Sequence, residues 1–312
     1  MNRLHRWLAF SLLTFWINAN PGFTADNNSQ LRLLFVGDIM LDNGPGHLIT
    51  NGVDPFEACA EFLTSPDLTI GNLECVVGRE GQQVNKAYTF RAAGDSPRYI
   101  KRYFDAVSLA NNHTFDYGAD GLSEALRVLK AEEIPYFGGG NNIDEARAPL
   151  VIECKGKKIA LLGYNEFRAS EYAATANTAG NAPLEELSVL ADIRTAREEL
   201  HCDVVIPFLH WGEELYSAPR PDQKRLARQW VDAGATAVIG AHPHVTQTID
   251  LYRGAPIVYS LGNFVFDYFP GDPPVWSGWC VELIISENGS VEVETTVVKL
   301  DPTGVPRIVV PE

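Results

Sequence analysis

The 312-residue chain is 46% hydrophobic and 21% charged, a globular composition with enough apolar residues for a deep core. Its formal net charge of −15 opposes binding driven by counterion release from a polyanion, which excludes nucleic acid as a partner. Divalent cations can still reverse the potential locally and admit an anionic substrate.

Arg3, His5 and Arg6 precede an apolar run from Trp7 to Ile17, and a polar stretch ends near Ala25. Residues 1–25 therefore read as a signal peptide or an N-terminal anchor. The run is too short to span a bilayer comfortably. Export to the periplasm or the outside is expected, with cleavage favoured over an uncleaved anchor, although Phe23 stands where a small residue suits cleavage. From residue 31 to about 300 no Pro/Ser-rich or single-charge linker and no repeat interrupts the pattern, so one large domain is expected. Cys59, Cys75, Cys154, Cys202 and Cys280 show no CxxC spacing, which excludes the usual structural zinc patterns.

Leu31-Arg-Leu-Leu-Phe-Val-Gly37-Asp38 is a β-rich run that ends in a carboxylate, the place where α/β folds present ligands. Asp38 is either a metal-binding group or a turn former after glycine. Asp42, beyond Met40, is either a further oxygen ligand or a loop residue. Asp67 to Gly71 repeats the arrangement and delivers Asn72 and Glu74. Phe104 to Ala110 repeats it again, with Asn111, Asn112 and His113 following and Asp116 close behind.

Gly121 to Ala131 places Leu122, Ala125, Leu126 and Leu129 at helical spacing and leads into a strand near Ile134–Phe137. Lys158 to Tyr164 reads as a core strand, Glu166 to Pro183 as an irregular surface loop able to lie over a site, and Leu184 to Leu200 as a helix. Asp203 to Leu209 is a fourth strand, ending in His210-Trp-Gly-Glu213-Glu214. After a helix from Pro221 to Ala233, Ala235 to Gly240 is a fifth, followed by Ala241-His242-Pro243-His244. Two imidazoles two residues apart can reach one ion or two neighbouring ions. Pro256 to Phe264 adds a strand with a polar turn. Val281–Ile285 and Ser290–Val298 alternate around Glu287-Asn288-Gly289, a hairpin expected to finish a sheet edge without contributing chemistry. Alternating strands and helices give an α/β fold.

The strand-end groups are thus Asp38, Glu74, Asn112, His210, His242 and His244. Oxygen and nitrogen donors without thiolates suit a divalent metal of the Mn, Fe or Zn type. Several carboxylates and imidazoles make two ions bridged by one carboxylate feasible. His113, beside Asn112, is placed to act as a general acid, with Asp116 orienting it.

Gly37-Asp38-Ile-Met40, Gly71-Asn72-Leu-Glu74, Leu109-Ala-Asn-Asn112-His113, His210-Trp-Gly-Glu-Glu214, Gly240-Ala-His242-Pro-His244-Val and Tyr259-Ser-Leu-Gly-Asn263-Phe together resemble the CapA family of bacterial capsule or poly-γ-glutamate synthesis proteins. The domain of that family is similar to the calcineurin-like metallophosphoesterases. The resemblance implies a four-layer α/β/β/α sandwich of metallophosphoesterase type, with Asp38, Glu74 and His244 at one metal position, Glu74 bridging, and Asn112, His210 and His242 at the second. His113 takes the place of the catalytic histidine. Phosphoesterases of this type carry Asp-x-His in the first motif, whereas this chain has Asp38-Ile-Met40, which leaves one or two ions open, with Asp42 or water as replacement donors. The implied function is metal-dependent hydrolysis of a phosphoester or amide in an anionic polymer or a small anionic substrate. The alternative is a non-catalytic, metal-bound polymer-handling or export component working with membrane partners in capsule synthesis.

Overall fold

The structure, a computed structural model, describes residues 13–14, 30–267 and 273–309. The expected export segment therefore lies outside the described residues, apart from a two-residue strand at Leu13–Thr14.

The chain builds one sheet, crosses to a second and returns. The first sheet opens with β1 (Leu31–Ile39), β2 (Leu68–Leu73), β3 (Ala106–Ser108) and β4 (Tyr136–Phe137). These pair in parallel in that order. Between them run helices α1 (Asn43–Thr50), α2 (Ser96–Tyr103) and α3 (Gly118–Ala131). The second sheet holds β5 (Leu150–Cys154), β6 (Lys157–Asn165), β7 (Val204–His210), β8 (Val238–Ala241), β9 (Ile249–Tyr252) and β10 (Ala255–Val258). Its spatial order is β9-β10-β8-β7-β6-β5, parallel except at the two edge pairs. Helices α4 (Glu186–Arg194) and α5 (Pro221–Asp232) connect its central strands.

Period-two alternation along β1 decides the layering. Leu31, Leu33 and Phe35 join Leu161, Ile206, Phe208 and Ile239 in a core between the two sheets. Leu34 and Val36 face the other way, against Ile49, Ile100, Leu122, Leu126 and Leu129 of the helices. The outer face of the second sheet packs Leu162, Tyr164, Val205 and Leu209 on Val189, Ile193, Ala227 and Trp230. The molecule is therefore an α/β/β/α sandwich, as the resemblance implied. Each fully buried Leu or Phe side chain contributes about 1.5–3 kcal/mol to it.

Two elements differ from the sequence expectation. The helix expected from 184 to 200 runs as α4 and then widens into a π-helical turn at Thr195–Glu199. The strand expected from 256 to 264 is two strands in different sheets, β10 and β11 (Asn263–Val265), and β11 pairs in parallel with β1. The break is enforced at Gly262, whose φ of +70° is costly for a residue with a Cβ, and at Ser260, whose hydroxyl donates to the Val245 carbonyl at 2.7 Å. The closing hairpin, β12 (Ser277–Ile285) and β13 (Val291–Leu300), adds antiparallel to β1 and extends the first sheet on its far side. All five cysteines are free thiols.

Candidate metal centre

The carboxyl ends of β1, β2, β3, β7 and β8 meet along one edge of the sandwich, where the two sheets approach each other. Gly37 permits that approach: a Cβ there would lie 1.8 Å from the Gly262 carbonyl oxygen. The Asp38 amide donates to that same oxygen at 3.1 Å. A register shift in β1 between Phe35 and Asp38, against Ile70 and Asn72 of β2, is a bulge that re-aims the Asp38 side chain. Beyond β8 the backbone turns sharply, with φ of +100° at His242 and +57° at His244. Non-glycine residues in this region carry strain that the surrounding structure must hold, and such strain clusters at functional sites.

All six strand-end groups come together. Glu74 is fully buried, and neither carboxylate oxygen has a hydrogen-bond partner. Around it lie two sets of donors. In position A, Asp38, Glu74 and His244 offer ligand atoms within 4.8 Å of one another. In position B, Glu74, His210 and His242 do the same, and Asn112 joins them. His210 Nε2 lies 2.9 Å from Asn112 Oδ1, 3.1 Å from His242 Nδ1 and 3.4 Å from Glu74 Oε1. Two ligands about 2.1 Å from a common ion, at octahedral or tetrahedral angles, sit about 3.0–3.4 Å apart, so these separations suit one small cation. An unpartnered buried carboxylate shared by two such sets is the group a pair of divalent ions would satisfy. The donor set thus fits a divalent metal.

The residues behind these donors fix their orientation. Asn72 Nδ2 donates to Asp38 Oδ1 at 2.8 Å, and Asn111 Nδ2 donates to Asn72 Oδ1 at 3.1 Å. Asn263, with its Nδ2 donating to the Val275 carbonyl, presents Oδ1 to His244 Nδ1 at 2.8 Å. That contact assigns the proton to Nδ1, and Nε2 lies 3.9 Å from Glu74 Oε1. Aromatic rings wall the imidazoles, with centroid distances of 3.9 Å from Phe167 to His242, 4.8 Å from Phe266 to His244 and 4.4 Å from Phe90 to His113.

Burial dominates the electrostatics. It pushes His210 down to about 3 and His242 well below the ordinary histidine value, with neighbouring imidazoles adding to the effect at His242. Both rings are neutral near pH 7, the form that ligates metals. Burial works against charge on His244 too, but Asp38 Oδ2, 3.3 Å from Nδ1, outweighs it and raises the ring above its ordinary value. Asp38 is correspondingly lowered, because His244 overcomes the opposing effect of burial. Glu74 is raised well above the carboxylate range, by burial first and then by Asp38.

His113 and Asp116 form a pair beside these donors. His113 Nδ1 donates to Asp116 Oδ2 at 2.6 Å, and Nε2 lies 3.9 Å from Glu74 Oε1. Lys86 Nζ sits 2.9 Å from Asp116 Oδ1, 2.8 Å from the Asn112 carbonyl oxygen and 3.2 Å from His113 Nδ1. Burial lowers the His113 pKa; Asp116 opposes that and Lys86 reinforces it. A cavity of about 490 Å³ opens over the site, lined among others by Lys86, His113, Phe167, Arg168, Glu214 and His242.

Sequence reasoning assigned no role to Lys86, Phe167 or Glu214, and treated Asn72, Asn111 and Asn263 only as parts of motifs. The loop expected at 166–183 does bring Phe167 onto His242, but it also contains the short helix Ala169–Tyr172 and the strand Gly180–Asn181. Asp42 lies in neither donor set. Its oxygens accept from the amides of Asn43 and Arg91, each at 2.8 Å, and the first of these caps α1. Met40 is fully buried among the apolar residues of the helix-side core.

A family model for the bacterial capsule synthesis protein PGA_cap matches residues 32–268. The capsule biosynthesis protein CapA of Bacillus anthracis is 33% identical over 249 residues, which cover 77% of this chain and 61% of that protein. The PGA biosynthesis protein CapA of Bacillus subtilis (strain 168) is 30% identical over 289 residues, 88% of this chain and 73% of that protein. The chain thus spans less than two thirds of the length of the B. anthracis relative. Among solved structures, the Haemophilus influenzae NAD nucleotidase NadN aligns with 90% of this chain and 54% of its own, with a TM-score of 0.46 and 12% identity. That overlap bears on neither substrate nor reaction.

Proposed function

The chain belongs to the bacterial capsule synthesis protein family, and from that premise we propose that it is an exported, metal-dependent hydrolase acting on a phosphoester or amide bond of an anionic envelope polymer such as poly-γ-glutamate. The observation that carries this reading is the buried Glu74 carboxylate, unpartnered and shared by two donor sets, with a proton-bearing histidine beside it. Asp38, Glu74 and His244 would hold one ion, and Glu74, Asn112, His210 and His242 a second. Ions bound there supply polarisation of the bond under attack and a lowered pKa for an attacking water.

The remaining chemistry falls to side chains. Asp116 fixes His113 with its proton on Nδ1 and so directs Nε2 into the cavity, where it takes up a proton and delivers it to the leaving group. Lys86 Nζ donates to Asp116 Oδ1 and to the Asn112 carbonyl oxygen and lies against the His113 ring. It is therefore a positioning residue. Arg168, at the cavity wall and about half exposed, pairs with Glu171 at 3.1 Å and would exchange that partner for a substrate carboxylate or phosphate. Phe167, packed on His242, keeps water from that face of the ring.

Purified full-length protein supplied with Mn is expected to turn over a phosphodiester or a γ-glutamyl substrate. His113→Ala should lower kcat by about 10²- to 10⁴-fold, the usual span for a lost acid–base group. Bound metal with no turnover on either substrate class overturns the hydrolase reading. It would favour the polymer-handling alternative, which the burial of Met40 away from the donor sets supports. Among the described residues no helix is long and apolar enough to cross a membrane; export rests on residues 1–25 of the sequence.

A further inference from the structure

The two donor sets are unequal in number. Position B has four protein groups and position A has three. Neither residue nearest in sequence to Asp38 supplies the fourth. Met40 is buried in the aliphatic core with its sulfur 3.2 Å from the Asp42 amide, and both Asp42 oxygens accept backbone hydrogen bonds.

A third donor set overlaps the other two from the solvent side. Glu214 offers a carboxylate oxygen that lies, with one ring nitrogen each of His242 and His244, in a cluster no wider than 4.8 Å. Glu214 is exposed, and an exposed glutamate on an acidic chain needs no partner beyond water. Its loop, however, is fastened to the histidine turn. The Leu215 amide donates to the Pro243 carbonyl, between the two histidines, at 2.9 Å, and Gln247 Nε2 donates to the Tyr216 carbonyl at 2.7 Å. On its other side, the Gly212 amide donates to Glu166 Oε2 at 2.7 Å. The fold thus holds Glu214 over His242 and His244 at three points. Among the described residues none of the Lys or Arg ion pairs engages it.

We propose that Glu214 is a metal ligand, the fourth protein donor of position A, carried on a loop and exchangeable for substrate. This rests on the metal-dependent reading above. Asp38, Glu74, His210, His242 and His244 are all at most 3% exposed and are locked by the groups behind them. Glu214 is the one fully exposed member of these sets, at the wall of the cavity. It can therefore swing off the ion and yield its place to an anionic group, which a buried ligand cannot do without opening the core.

The test is Mn titration of the full-length protein, followed by the electron paramagnetic resonance signal of free Mn, for wild type, Glu214→Gln and Glu213→Gln. Glu213 shares the loop and the charge but belongs to none of the donor sets. Wild type should bind a tight and a weaker equivalent. Glu214→Gln should keep the first and weaken the second by about 10- to 100-fold, while Glu213→Gln follows wild type. Matching isotherms for Glu214→Gln and wild type overturn the assignment and leave the metal centre standing. Equal weakening in both variants also overturns it, since it would mark a general effect of acidic charge on the loop. A wild-type protein that takes up no Mn overturns the metal reading itself and this assignment with it.

Discussion

Positions A and B share Glu74 and both draw on imidazoles, yet their surroundings push those imidazoles in opposite directions. In B, His210 and His242 are neutral because burial disfavours protonation, with His244 and His113 adding to the effect on both rings. In A, Asp38 and His244 each favour the other's charged form against the cost of burial, which raises His244 and lowers Asp38. Asp38 makes the difference: its Oδ2, 3.3 Å from His244 Nδ1, outweighs burial there, whereas its pull on His210 does not overcome burial. Position B therefore presents lone pairs ready for a cation, whereas in A a cation competes with the contact between Asp38 and His244. B should fill first and more tightly.

Glu74→Gln should have the largest effect, because it removes the one donor common to both positions. Ion uptake should be abolished, and with it the stabilisation of about 2.7 kcal/mol expected of wild type at a metal concentration 100 times Kd. The metal-free proteins should rank the other way. Glu74's folded pKa lies above its unfolded value, so the unfolded chain releases this proton first and the folded state is penalised as pH rises beyond the ordinary carboxyl range. Without metal at pH 7, Glu74→Gln should melt above wild type; a lower Tm would show that the Glu74 carboxylate is already satisfied without an ion.

A smaller effect separates the two positions. His242→Ala should weaken the tight ion by at least about 10-fold, and His244→Ala should remove only the weaker one. Elemental analysis after desalting decides between them, and retention of the tight equivalent by His242→Ala alone would reverse the ranking of A and B.

The smallest effect is on pH dependence. His210 and His242 are depressed in the folded state, so their contribution to stability is present above the unfolded value of 6.5 and is lost as pH falls, toward about 3 in the case of His210. Each can contribute at most about 1.4 kcal/mol per pH unit. Glu74 acts in the opposite sense and reduces the net slope. Urea midpoints of metal-free protein from pH 7 to 4 should fall, and His210→Asn should flatten the trend.

The strand-end donors were legible because each follows an apolar run that must be buried, so its partner residues had to emerge at one edge. The four layers were legible in part, since the alternation of strands and helices gave the class and the motifs gave the sandwich. What stayed hidden lacks any period. Lys86 lies in a segment without regular structure from 78 to 90. It reaches His113 and Asp116 only through tertiary contacts 27 and 30 residues away. Phe167 sits in a loop of small residues whose course is set by Asn165, whose side chain bonds the Phe167 amide and carbonyl. The split between β10 and β11 was masked because buried strands in two different sheets read as one apolar run when only Ser260-Leu-Gly262 divides them. The change from donors on strands to a donor on a loop likewise carries no pattern, which is why Glu214 emerged only from coordinates.

The six strand-end donors are spread from residue 38 to residue 244 and belong to both sheets. No local segment of the chain holds a complete set, and the two halves of position B meet only once the sheets have docked. Long loops must close before that happens, at an entropic cost that local helix formation does not offset. An ion therefore cannot guide early folding in the way a zinc finger's metal does. An ion bound there would be captured at the end, would act as a clasp across the two sheets, and would make its mark on the rate at which the finished protein comes apart.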